Sequence, residues 1–308
     1  MRKWENEKMR KRLSTYIGRY KISKRLWLVL FSHFLIFSFS CSAGFACGKP
    51  ITHSQTQASY SELVMQGIDA MTSDSLVQAD SLFRMALKLQ PSHPSSYLLL
   101  RYLGQVKEQQ GDNSKALEYY TAGLALKPKD LELKLCRAAL HYRMGSDGRA
   151  LLDYSDVLDI EPENHEALLM RAHIYASMHD ARQARRDYET LLRLDPWNRK
   201  ARVGLILLND RTGRPREAME QINATIQVFP ADAMLYAIRG GMEQKRKQYE
   251  MALADLTHAI ELEPQNADYY VSRATLYLDM GKRKLARQDT QMAVRLGADA
   301  REMAGLLQ

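Results

Sequence analysis

The sequence predicts an all-α solenoid of seven stacked helix pairs, and three observations carry that prediction. Prolines stand at 91, 128, 162, 196, 230 and 264, spaced by 37 and then four times by 34. Alanine recurs twelve residues before each of them, as Ala79, Ala116, Ala150, Ala184, Ala218 and Ala252, and the frame continues to Ala286. An aliphatic residue recurs four before each proline, as Leu87, Leu124, Leu158, Leu192, Ile226 and Ile260, with Val294 next in line. A fixed period of this length marks an array of supersecondary units, each burying its apolar face on the next.

Numbering each unit from 1 to 34 puts the alanine at position 20, the aliphatic residue at 28 and the proline at 32. Seven units follow: 60–93, 97–130, 131–164, 165–198, 199–232, 233–266 and 267–300. Position 8 is small in six of them, Gly67, Gly104, Ala138, Ala172, Gly240 and Ala274, with Ile206 the exception. Small residues at 8 and 20 allow two helices to approach closely, and aliphatic residues at 28 and 30 are expected to fill the next layer. An aromatic at 24 (Phe83, Tyr120, Tyr154, Tyr188) wedges between helices. The proline ends the second helix, since it has no N–H to donate and disfavours helix just before it. Gly111, Gly145, Gly213 and Gly281 mark the inter-helix turn, where positive φ costs glycine little. Pro215 stands at the first position of its helix, where proline is tolerated.

Thirty-four residues, small at 8 and 20, aromatic at 24 and proline at 32 resemble the tetratricopeptide repeat over residues 60–300. The resemblance implies a right-handed superhelical solenoid of seven helix-turn-helix repeats. The large residue expected at position 4 is present as Leu63, Leu100, Leu168, Tyr236 and Tyr270; Lys134 and Arg202 replace it elsewhere, and those two units are expected to be locally loose. Residues 301–308 read as a short capping helix, capped by Asp299, with Met303, Leu306 and Leu307 covering the last apolar face. The resemblance further implies a groove lined by positions 2, 5, 9, 12 and 13 of the first helices. Those positions supply Arg101, Gln105, Glu108, Leu135, Tyr142 and Arg143 in the second and third units. The fourth and fifth supply Glu166, Leu169, His173, Lys200, Asp210 and Arg211. Members of the family that clamp a chaperone's C-terminal carboxylate use a Lys and Asn set absent here; the first trio offers Val64, Ile68, Tyr102, Glu132 and Cys136.

One departure from the family is systematic. Position 7, usually Leu, is Arg137, Arg171, Arg239 and Arg273, and the same four units carry Asp153, Asp187, Asp255 and Asp289 at position 23. Co-occurrence within units favours a pair joining the two helices of one hairpin. Pairing with the next unit would set Asp187 opposite Leu205.

The net charge of +8 invites a nucleic-acid reading, and its distribution argues against one. The first 25 residues hold ten Lys or Arg against Glu5 and Glu7, leaving 34 basic and 34 acidic groups in the remaining 283. A phosphate-binding surface needs its positive charge on the folded domain. After the basic run, Leu26–Phe39 has no formally charged residue, and Gly48–Ser59 is a polar linker. Fourteen residues suit a signal h-region better than a bilayer span. Residues 1–47 therefore read as a signal peptide or membrane anchor, with Met1 or Met9 as the start. Cys41 and Cys47 each follow a small residue, which resembles the lipid-attachment site of bacterial lipoproteins, although Ser38 and Gly44 stand where that family has Leu. Cleavage after Gly44-Phe45-Ala46, or an uncleaved anchor, are the alternatives. Each places the array outside the cytoplasm, in the cell envelope or beyond it.

No catalytic motif emerges: no HExxH, no Gly-rich phosphate loop, no nucleophile elbow and no paired-Cys spacing. His165 and His173 are separated by about 12 Å along a helix, too far to share a metal with His179. Cys136 is a lone thiol with the character of a small hydrophobe. The sequence thus predicts a non-enzymatic protein-binding scaffold of the bacterial envelope, without cofactor, metal or nucleic acid. Its partner is a protein or peptide in the groove, and the membrane is contacted through the N-terminal segment alone. The alternative is an accessory factor of a complex handling glycan or peptidoglycan.

Overall fold

The computed structural model describes residues 58–306; the signal, Cys41 and Cys47 lie outside them. Every regular element among the described residues is an α-helix, seven pairs followed by one short helix. They run α1 (Tyr60–Thr72), α2 (Leu76–Leu89), α3 (Ser96–Gln109), α4 (Asn113–Leu126), α5 (Leu131–Arg143), α6 (Asp147–Ile160), α7 (His165–Ser177) and α8 (Ala181–Leu194). There follow α9 (Arg199–Arg211), α10 (Pro215–Val228), α11 (Ala233–Lys245), α12 (Tyr249–Leu262), α13 (Ala267–Asp279), α14 (Arg283–Arg295) and the short α15 (Ala300–Leu306). The chain divides into two compact bodies, one through Asp153 and one from Tyr154.

Capping explains why helices start where they do. Asp130, Asn164, Asn198, Asp232 and Asn266 occupy position 34, and each side chain accepts a backbone N–H from the first turn of the next repeat. Ser59 and Glu62 form a capping box on α1, and Asp299 caps α15 through Arg301 N at 2.7 Å. The prediction of looseness at Lys134 and Arg202 is overturned. Lys134 is buried, and Arg202 donates Nε to the Pro196 carbonyl at 2.8 Å while stacking on Trp197. At the same frame position the hydroxyls of Tyr236 and Tyr270 donate to Pro230 and Pro264 carbonyls at 3.0 and 3.2 Å. The guanidinium satisfies the same carbonyl that the phenol does.

Every repeat turns through a residue of positive φ at position 15. Four are the glycines named above, and the other three are Asp74, His179 and Lys247, with φ of 62–64°. A side chain in the left-handed region costs on the order of 1–2 kcal/mol. His179→Gly and Lys247→Gly are therefore each expected to stabilise the chain by about 0.5 kcal/mol, after the extra unfolded-state entropy of glycine is deducted. A fall in the denaturation midpoint for both would contradict this account of the turn.

The core of each body is built from neighbouring repeats alone. In the first, Ala79, Phe83, Ala86, Leu99, Leu103 and Val106 form one cluster, and Tyr120, Leu133 and Leu140 a second. A Cβ on Gly67 or Gly104 would strike the ring of Phe83 or Tyr120 at 2.5 or 2.3 Å, so position 8 is small to seat the aromatic at 24. Ile206 can be large because Ile222, not a ring, faces it in the second body. The expectation that position 30 fills the next layer is wrong for Leu89, Leu126 and Ile160, which are 42, 60 and 44% exposed. Position 30 sits about 240° around the helix from the buried ring at 24, whereas 27 and 28 share its face. Those are the buried pair, as at Gly123 with Leu124 and Ala259 with Ile260.

Candidate functional site

Position 7 and position 23 meet within each hairpin. Arg137 reaches Asp153 with Nε and Nη2 at 2.8 and 2.7 Å, and Arg171 reaches Asp187 at 2.8 and 2.9 Å. Arg239 and Asp255 close to 2.6 and 2.7 Å, Arg273 and Asp289 to 2.8 and 2.9 Å. This fork-on-carboxylate geometry is the strongest form of ion pair. The third nitrogen was not anticipated from the sequence. Nη1 donates to position 25 of the preceding repeat: Thr121, Ser155, Asn223 and Thr257 at 3.4, 3.2, 2.8 and 3.3 Å. The signal was present, because a small polar acceptor stands at 25 before each Arg unit, whereas Arg84 and Glu189 precede the Leu103 and Leu205 units. Asn223, in the glycosylation-like Asn223-Ala224-Thr225, is thus held by Arg239, and Thr225 is buried.

The residues expected to line a groove all lie on first helices, and each body places them differently. In the first body, Glu108 accepts from Arg143 at 2.6 Å and from the Tyr120 hydroxyl at 3.1 Å. Arg101 approaches Glu132 at 3.6 Å and stacks on Tyr102, and Gln105 donates to the Cys136 sulfur at 3.8 Å. Burial pushes that thiol up to about 11, so it is uncharged at neutral pH. Leu135 is buried and belongs to the interior, not to an accessible surface. Tyr142 is half-buried.

In the second body Glu166, Lys200 and Arg211 are exposed and Leu169 is half-buried. Asp210 is paired with Lys245, and Gln244 donates to Asp279 at 2.7 Å. These pairs, like Glu108–Arg143, link position 12 of one repeat to position 13 of the next, a 35-residue offset legible in the sequence once the frame is known. His173 faces the Tyr188 hydroxyl at 3.3 Å. Burial, helped by Arg211 and Lys200, holds its imidazole down at about 4, so it is a neutral hydrogen-bonding ring at physiological pH. His165 and His179 are exposed on other turns and do not join it.

These segments are tetratricopeptide repeats: the family model of that description matches residues 64–130 and 169–233. The fold is that of solved tetratricopeptide arrays. A tetratricopeptide repeat protein from Parabacteroides merdae is 28% identical, with 80% of this chain and 97% of that one covered at a TM-score of 0.71. The Cut9–Hcn1 hetero-tetramer of APC/C covers 80% of this chain and 54% of its own at 13% identity and TM-score 0.56. Pseudomonas aeruginosa pilF covers 68% and 95% at 16% identity and 0.53. The last two likenesses are of fold alone. No curated protein matches the sequence significantly.

Proposed function

We propose that this protein is a non-enzymatic scaffold of the bacterial cell envelope, exported by its N-terminal segment and binding a segment of a partner protein on the shared face of its first helices. Gly241, midway along α11 at position 9, carries this reading. A Cβ added there would meet nothing within 4 Å. A glycine inside a helix costs about 1 kcal/mol relative to alanine. Here no internal packing requires it, so what it provides is a close approach to the helix backbone from outside. Leu207 and Thr275 hold the same position in the flanking repeats, and Leu207, Met234 and Ile238 are half-buried aliphatic neighbours of one core cluster. Positions 5 and 9 of the second body include no Phe, Tyr or Trp, which favours a peptide over a stacked sugar.

A photo-crosslinking residue in place of Lys200, exposed on α9, should trap a protein in the envelope fraction of growing cells, while the same residue at Leu152, 68% exposed on a second helix, should not. Gly241→Trp should weaken capture at least about tenfold without lowering the melting temperature, as filling a hot-spot pocket does. Identical products at both positions, or products only from the cytoplasm, would refute the proposal.

A further inference from the structure

Within each body the polar part of the joint between repeats follows one rule. Position 25 of the earlier second helix accepts from the Arg at position 7 of the next repeat, as at Thr121–Arg137, Ser155–Arg171, Asn223–Arg239 and Thr257–Arg273. Position 21 pairs with position 11 of the next repeat where both are polar: Asp80 with Lys107 at 2.9 Å, and Arg185 with Asn209. The two gripping residues are four apart, and so lie one above the other on a single face of the incoming helix.

On α14, the second helix of the seventh repeat, positions 21 and 25 are Arg287 and Gln291, and both are exposed. With Arg283 and Arg295 they form a stripe at four-residue spacing, each step rising roughly 6 Å. Lys282 and Lys284 lie beside it and are exposed as well. The single carboxylate of α14, Asp289, is turned inward to Arg273. The residues that follow cover the apolar part of this end, where Met303 of α15 packs with Ile260, Tyr269 and Ala293. The cations of the stripe have no ion pair among the described residues, in contrast to the arginines at position 7, each of which is paired with an aspartate of its own hairpin.

We propose that this face of α14 docks a helix of a partner protein that carries carboxylates four residues apart, set as positions 7 and 11 are set in the interior joints. The repeated joint supplies the shape and the charge supplies the complement: set as in those joints, a carboxylate at 11 would meet Arg287 and one at 7 the Gln291 amide, with Arg283 and Arg295 one turn to either side. A nucleic acid is disfavoured because the chain from Tyr154 onward holds 22 Lys and Arg against 23 Asp and Glu, so the cations form one stripe and not a broad field. A lipid surface is disfavoured because Leu285, 39% exposed, is the one large apolar side chain exposed on α14.

The test uses the full chain and a synthetic helix-forming peptide with Glu at i, i+4 and i+8, beside an isomer of the same composition with its Glu residues spread around the helix. The ordered peptide should bind at least about tenfold more tightly than its isomer at low salt, and should weaken as salt is added. Arg283→Glu with Arg287→Glu should abolish that preference. The gentler Arg283→Gln with Arg287→Gln should reduce it if the reversal disturbs folding. Gly241→Trp should leave it unchanged; loss there would place the peptide on the first-helix face and overturn the proposal. So would equal binding of the two peptides, indifference to the arginine variants, or preferential binding of a single-stranded oligonucleotide or phosphatidylglycerol vesicles.

Discussion

Replacing Asp187 by Ala is expected to cost about 3 kcal/mol of stability, because it strands the guanidinium of Arg171 between two helices without its carboxylate. The Asp187 side chain is 5% exposed and that of Arg171 22%, so water cannot fully take over either charge. The hydrogen bonds from Arg171 to Asp187 raise the guanidinium's already high pKa further, and it stays charged throughout any accessible pH range. The variant therefore cannot escape by deprotonation. Removing both partners, as Arg171→Leu with Asp187→Leu, should cost clearly less than the two single changes summed, with a coupling above about 1 kcal/mol. Exposed ion pairs give about 0.2–1 kcal/mol. Denaturant titrations that return strict additivity, or a single-variant loss under half a kilocalorie, would show that the pair is only decorative.

Glu243→Gln is expected to stabilise the chain above neutral pH and to do little near pH 5. Glu243 occupies position 11 of its repeat, where Lys107 and Asn209 elsewhere find polar partners in the preceding second helix. The preceding helix offers Met219 at position 21 instead, and the carboxylate Oε2 is buried without a hydrogen-bond partner. Burial, reinforced by Asp255 and opposed by Arg239 and Arg246, raises its pKa to about 7. A folded-state pKa above the unfolded value means that stability is fully present below the ordinary carboxylate range and is lost as pH rises toward 7. The loss is at most roughly 3 kcal/mol at pH 8. Glutamine carries no charge at any pH, so the variant should flatten this part of the stability profile. Parallel profiles for the two proteins between pH 5 and 8 would refute the assignment. The position shows how a regular frame can seat one residue that its neighbours do not match.

The architecture was legible in the sequence because each repeat touches only its neighbours, so the same packing problem recurs every 34 residues and is answered by the same residue types. Ala79 through Ala286, the prolines at position 32 and the small residues at 8 are those answers, and they were sufficient for seven hairpins and their order. The co-occurrence of Arg171 with Asp187, and of its three counterparts, likewise exposed a link inside the hairpin. What depended on tertiary structure was how one repeat is offset against the next, since no spacing within a unit encodes it. That offset decides that the third nitrogen of Arg171 lands on Ser155 and that Glu108 meets Arg143. It also buries Leu135 while leaving Leu126 in solvent, and brings Met219 rather than a polar group toward the Glu243 position. The turn at His179 was hidden for a different reason: the hairpin imposes a left-handed residue at position 15 whatever the side chain, so a fold held by its neighbours can override the local preference of a histidine. Periodicity is written in single residues, whereas a surface is written in which residues of different repeats are brought together.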